Sequence, residues 1–164
     1  MRNCLVIDLD RCSGCDGCVA ACKLENNVDL GVCYNRVHAV GPTGTFRTSS
    51  STGFPCNASS ARTPAASKCA DGASYRDEAT GVVLVNAEEC IGCESCLKGC
   101  PYNVRTLNPN TNVVEKCTLC FQRHEEEDWV PACVHNCCCG ARYFGDLDDP
   151  DSSAAKAVAA AGAE

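Results

Sequence analysis

Two short apolar stretches along this chain each run into acidic residues and then into a cysteine-rich loop. The first is Leu5-Val-Ile-Asp-Leu-Asp10 and the second is Val82-Val-Leu-Val-Asn-Ala-Glu-Glu89. Each reads as a brief strand, and the residues behind each loop, Val19 to Glu25 and Leu97 to Gly99, read as short helical stretches. Strand, cysteine loop, helix is therefore a unit used twice. A second kind of unit closes on Gly-Ala and an aromatic, in Cys69-Ala-Asp-Gly-Ala-Ser-Tyr75 and in Cys137-Cys-Cys-Gly-Ala-Arg-Tyr-Phe144. Gly41 to Gly53 is crowded with Gly, Ser and Thr and reads as a turn-rich linker. The tail from Asp148 is expected to start a helix near Ala154 or to fray.

Composition changes this picture, because 18 of the 164 residues are cysteine. Apolar types reach 45% with those cysteines counted, and aromatic residues only 5%, so a conventional core would be thin and something besides apolar burial must hold the fold. A formal charge of −7 leaves no basic stripe for a phosphate backbone, which excludes nucleic acid as the expected partner. The apolar run at Leu5 is broken by Asp8 and has no twin-arginine pair before it, so no export signal is expected. No stretch nears the ~18 apolar residues of a membrane helix, and a soluble chain without a membrane span is expected. Without a secretory context, the cysteine spacings must decide between bridges and metal.

Those spacings are regular. Cys12, Cys15, Cys18 and Cys22 follow Cys-x2-Cys-x2-Cys-x3-Cys, and Cys90, Cys93, Cys96 and Cys100 repeat it with Pro101 directly after. A third group, Cys117, Cys120, Cys133 and Cys137, keeps the outer spacings but opens the middle by twelve residues, which carry the solvated loop His124-Glu-Glu-Glu-Asp128. Two intervening residues let a loop curl until sulfurs and backbone N–H groups converge on one small object, as a 4Fe–4S cube requires. The fourth cysteine starts a helix turned away, and in two-cluster ferredoxins it serves the other cluster, so such motifs work in pairs. A zinc site would use ordinary Cys-x2-Cys hooks, and three groups of this form together argue against it.

A fourth group is visible around Pro55-Cys56-Asn-Ala-Ser59 and Pro64-Ala65-Ala-Ser-Lys-Cys69, with serine and alanine in two of the cysteine positions. At this point the chain resembles the iron–sulfur electron-transfer (beta) subunit of the dimethyl sulfoxide reductase family of molybdopterin oxidoreductases. The resemblance runs from about residue 3 to about residue 150. It is carried by Val6-Ile-Asp-Leu-Asp-Arg-Cys12, Cys90-Ile-Gly-Cys93, Cys100-Pro-Tyr102, Glu115-Lys-Cys-Thr-Leu-Cys120 and Gly140-Ala-Arg-Tyr-Phe-Gly-Asp146.

The resemblance implies an α+β fold of two nested bacterial-ferredoxin-like modules built around 4Fe–4S clusters. Residues 1–40 with 112–147 would form the outer module, 41–54 a linker, 55–111 the inner module and 148–164 a tail. In such a subunit the first motif pairs with the last and the second with the third. Carried over, Cys12, Cys15 and Cys18 take Cys137; Cys117, Cys120 and Cys133 take Cys22; and Cys90, Cys93 and Cys96 take Cys69. Those sets hold three 4Fe–4S clusters. The fourth site would need Cys56, Cys100 and positions 59 and 65, where Ser59 and Ala65 stand, so it is expected to be lost. The implied function is electron relay between a molybdopterin (or tungstopterin) catalytic subunit and a second redox donor or acceptor, such as a membrane anchor subunit. The implied location is the cytoplasm, or outside it after export with a signal-bearing catalytic partner. A free-standing polyferredoxin and a structural zinc protein remain the alternative classes.

Outside the three complete sets lie Cys4, Cys33, Cys56, Cys100, Cys138 and Cys139. Cys4, Cys138 and Cys139 read as small buried thiols acting as hydrophobes, Cys56 and Cys100 as orphans of the lost site, and Cys33 as a remote candidate to replace a missing ligand. His38, His124 and His135 are scattered in polar contexts and read as surface residues. Lys116 reads as a positive charge placed near an anionic cluster, where it could tune the potential. Ser13, Asp16 and Trp129 form no nucleophile, base and acid arrangement, so no catalytic residue is expected.

Overall fold

β1 (Asn3–Ile7) pairs antiparallel with β8 (Arg142–Asp146), from Asn3 opposite Asp146 to Ile7 opposite Arg142, so the two ends of the sequence share one sheet. The computed structural model describes residues 1–43, 50–57, 69 and 71–162. Between the paired ends run α1 (Gly17–Glu25), β2 (Asn35–Thr43), β3 (Ser50–Asn57), β4 (Ser74–Arg76), β5 (Val83–Val85), α2 (Ser95–Lys98), β6 (Thr106–Leu107), β7 (Val114–Glu115), a 3-10 turn at Phe121–Arg123 and α3 (Ala132–His135). α4 (Ser153–Ala160) follows β8. The strands form two-stranded antiparallel sheets, β1 with β8, β2 with β3, β4 with β5 and β6 with β7. The fold is thus mixed helix and strand, as expected.

Local chemistry explains the tight hairpins. Between β4 and β5, the Asp77 carboxylate accepts from the Thr80 backbone N–H at 2.7 Å and from its hydroxyl at 2.6 Å, an Asx turn that reverses the chain. Between β6 and β7, Asn108 accepts from the Asn110 N–H at 2.9 Å while Asn112 takes a left-handed backbone, φ 56°. Ser152 caps α4, its hydroxyl accepting from the Ala155 N–H at 3.1 Å and donating to the Asp146 carbonyl at 2.7 Å. That pair of bonds ties the tail to the β1–β8 sheet, and the helix expected near Ala154 is there.

The stretch expected as a linker overlaps two strands: β2 and β3 pair antiparallel, with Ala39 opposite Gly53 and Val37 opposite Pro55. The alternation of Arg36, Val37, His38 and Ala39 suits a strand.

The apolar core is small. Val82, Leu84, Cys117 and Leu119 form its centre, with Leu5, Tyr34, Phe121, Trp129 and Phe144 packed around it. Trp129 meets Phe144 edge-on at 5.0 Å, and its indole N–H donates to the Leu119 carbonyl at 3.0 Å, so its role is packing. Cysteine is the commonest residue type in the buried apolar set, ahead of valine. Most of those buried cysteines are the expected cluster ligands, so the interior is completed by what they bind.

Candidate iron–sulfur centres

The two full cysteine runs adopt the same backbone. Gly14 and Gly92 have φ of 70° and 68°, and Asp16 and Glu94, the residues before α1 and α2, have φ of 59° and 56°. Left-handed turns at matching positions roll each loop around its cysteines. They leave Cys15 and Cys93 exposed while Cys18 and Cys96 are buried. At Gly92 the requirement is also steric, since a Cβ would lie 2.6 Å from the Asn112 carbonyl oxygen and amide nitrogen.

Two cavities collect cysteines from distant parts of the sequence. The first is lined by Cys12, Cys15, Cys18 and Cys137, together with Cys138, Cys139 and Arg142. The second is lined by Cys22, Cys117, Cys120 and Cys133, with Asn26, Tyr34 and Leu119. Cys22 leaves the first run because α1 carries it to the far side, where α1 packs against α3 and meets Cys133. Burial, and then the neighbouring Cys117, Cys133 and Cys120 sulfurs, push the Cys22 thiol far up. Burial likewise pushes Cys133 up to about 12, opposed by the Arg142 guanidinium.

N–H groups face the sulfurs. Ala141 N–H donates to Cys137 at 3.2 Å, Leu119 N–H to Cys117 at 3.5 Å and Val114 N–H to Cys90 at 3.5 Å. The N–H groups of Gly17 and Ser95 hold the Cys15 and Cys93 thiols down, joined at Cys93 by the Ser95 hydroxyl as the larger influence. Asn26 spreads its amide over Cys22 and Cys120 at 3.7 and 3.8 Å. Among the described residues no three Cys, His, Asp or Glu side chains converge closely enough for a single metal ion.

An orphaned donor tests the fit of an anionic cluster. Arg142 is 5% exposed; its Nη2 donates to Asn35 at 3.1 Å, its side chain also bonds the Cys133 thiol, and its buried Nη1 has no partner. It lines the first cavity and acts on Cys22 and Cys133 of the second. A buried unpaired guanidinium N–H costs about 1–3 kcal/mol or more, and anionic occupants on both sides would remove that cost.

A family model described as a 4Fe-4S dicluster domain matches residues 53–147. A sulfite dehydrogenase subunit of Allochromatium vinosum is 39% identical, the alignment covering 94% of this chain and 72% of that protein. The thiosulfate reductase electron transfer subunit PhsB of Salmonella typhi is 38% identical, over 88% and 76%. The arsenate respiratory reductase iron-sulfur subunit ArrB of Shewanella sp. strain ANA-3 is 33% identical, over 96% and 87%. The chain belongs to the iron–sulfur electron-transfer subunits of the dimethyl sulfoxide reductase family.

In this subunit the other expected residues are placed as follows. Cys90 and Cys93 sit on the loop before α2 and Cys96 is in its first turn, while the Asp71 carboxylate, two residues beyond Cys69, acts on Cys93. Cys100 is half-buried; Ser59, Ala65 and the Cys56 side chain lie outside the described residues. Cys33 is half-buried on the loop before β2, its carbonyl accepting from the Thr106 hydroxyl at 3.3 Å. Cys4 is buried, as expected of a small hydrophobe, and burial pushes it up to about 11. Cys138 and Cys139 correct the sequence reading: Cys138 is exposed, Cys139 half-buried, and both line the first cavity, because the Cys137–Gly140 turn carries them along its rim. His38, His124 and His135 are on the surface. Lys116 is buried, its ammonium donating to the Cys117 carbonyl at 2.7 Å. Arg142, which lines one cavity and acts on Cys22 and Cys133 of the other, is a residue that spacing rules miss: the Gly140-Ala-Arg142 segment carries no signal of this double contact.

Proposed function

We propose that the subunit relays single electrons through three 4Fe–4S clusters between a molybdopterin (or tungstopterin) catalytic subunit and a second redox partner. The observation that carries this reading is that each of two cavities gathers cysteines from distant motifs, Cys12, Cys15 and Cys18 with Cys137 to Cys139 in one and Cys117, Cys120 and Cys133 with Cys22 in the other. The first ring is Cys12, Cys15, Cys18 and Cys137; the second is Cys117, Cys120, Cys133 and Cys22. Cys90, Cys93, Cys96 and Cys69 form the third set. The fourth site, stripped to Cys56 and Cys100, holds no cluster. Pairing of β1 with β8 and of α1 with α3 supports an outer module of residues 1–40 and 112–147 nested around an inner one of 55–111.

The clusters supply reversible one-electron chemistry, and the chain determines their environment. Cysteine thiolates hold each one, backbone N–H groups and Asn26 offset the sulfur charge, and Arg142 adds a positive charge between the two outer sites. Because the fourth site is lost, electrons enter or leave at the Cys93 loop. Ile91 and Tyr102, 60% and 76% exposed, flank that loop as apolar footing for a partner. Among the described residues no helix is long and apolar enough to cross a membrane. Residence in the cytoplasm or export with a signal-bearing partner both agree with this arrangement.

The test is iron and zinc analysis of the anaerobically purified complex. About twelve iron atoms per chain are expected. Near sixteen, the lost fourth site is wrong; zinc with little iron overturns the relay. Isolation without any large molybdopterin subunit, with full iron content, would favour a free-standing polyferredoxin. In the assembled complex, Cys93→Ser should leave the catalytic subunit exchanging electrons with the Cys12 site while transfer to the external partner collapses. Surviving external turnover would refute exit at that loop.

A further inference from the structure

Six thiols line the first cavity, and a cube takes four. The two additional ones follow Cys137 directly. The turn they occupy is closed by the Gly140 N–H on the Cys137 carbonyl at 3.0 Å and by the Ala141 N–H on the Cys137 sulfur at 3.2 Å. Cys137 is thereby fixed, and the Cys138 sulfur comes to lie 3.6 Å from that of Cys15. Cys15 is the exposed member of its run, whereas Cys18 is buried and Cys12 half-buried. Cys139 is less well placed, because its thiol is turned toward the Ser13 hydroxyl at 3.3 Å.

We propose that Cys138 is a reserve ligand for the first cluster site, its sulfur taking the iron corner of Cys15 when that ligand is lost. The inference rests on the reading of Cys12, Cys15, Cys18 and Cys137 as a cluster site. The exchange is redox-neutral: one iron–thiolate bond breaks, another forms, and the Cys138 thiol proton passes to the departing Cys15 sulfur or to water. The arrangement places the substitute beside the ligand of its run most open to solvent. Two sulfurs 3.6 Å apart at one rim can reach the same corner after a side-chain rotation, with no backbone movement.

The test compares iron content and electron paramagnetic resonance of the anaerobically purified complex for wild type, Cys15→Ala, Cys138→Ala and the double variant. Wild type and each single variant should hold about twelve irons, with the signal of one cluster altered in Cys15→Ala. The double variant should fall to about eight. Loss of four irons in Cys15→Ala alone, a three-iron signal there, or full iron in the double variant would each overturn the proposal. Wild type with no cluster at this site would instead overturn the reading beneath it. Should Cys15→Ala not assemble, alkylation mapped by mass spectrometry in Cys15→Ser decides. Cys138 should label in wild type and be protected in the variant, and equal labelling refutes the exchange.

Discussion

Replacing Arg142 by methionine removes a buried positive charge from between the two outer cysteine rings. The guanidinium lines one ring and lowers the thiols of the other, and its unpaired Nη1 is buried, so little solvent screens it. A unit charge about 6 Å from a centre, at an effective dielectric of about 20, stabilises an added electron by about 3 kcal/mol. For a one-electron couple that is about 120 mV, since a tenfold change in equilibrium is about 59 mV. The sign follows from charge: without Arg142 the reduced state is less favoured, so both outer potentials fall. Potentiometric titration followed by electron paramagnetic resonance reads each centre separately. Arg142→Lys keeps the charge and should recover most of the shift, although it cannot reproduce the bond to Asn35. Losing that bond leaves the Asn35 carbonyl buried without its donor, a cost of about 1–3 kcal/mol in stability that the lysine variant shares. A fall of less than about 30 mV at both outer centres, or an equal fall at the inner one, would refute the placement of Arg142 as the shared charge.

Other perturbations separate binding from packing. Cys22→Ala should abolish the cluster of Cys117, Cys120 and Cys133 and spare that of Cys12; the reverse pattern in the spectra would show that the rings are uncrossed. Cys100→Ala should leave the iron content at about twelve, because no complete site uses it. Leu119→Ala, at 2% exposure in the centre of the core, should cost about 3–5 kcal/mol in urea unfolding of the iron-loaded subunit, and a cost under about 1 kcal/mol would contradict its burial. Bonds from the Thr80 hydroxyl and N–H hold Asp77 below the usual carboxylate range, so its contribution is present above pH 3.8 and lost as pH falls through its native value. The stability gap between wild type and Asp77→Asn should stay constant from pH 7 to about pH 5 and close below about pH 4; a gap unchanged at low pH would refute it.

What could be read from the sequence was set by how local its cause is. Runs such as Cys12 to Cys22 impose their own backbone, which is why α1, α2 and the short strands before each loop were legible and why Gly14 and Gly92 match so closely. The β2–β3 pairing was not, since the Gly and Ser of residues 41–53 speak for turns and the compensating bonds come from a partner strand. Assignment of Cys137 and Cys22 to opposite rings needed the family resemblance, because spacing says that a fourth cysteine leaves its loop but not where α1 delivers it. Cys138 and Arg142 show the limit most directly. Between two ligating loops a thiol is apolar filler or a spare ligand, and an arginine is a surface charge or a shared counter-charge, according to where β8 lies. That strand is placed by β1, more than a hundred residues away, and its register seats Ile7 opposite Arg142. If Arg142 tunes the outer centres as proposed, the β1–β8 sheet holds that charge, so weakening the pairing should move the outer potentials even where no ligand is touched.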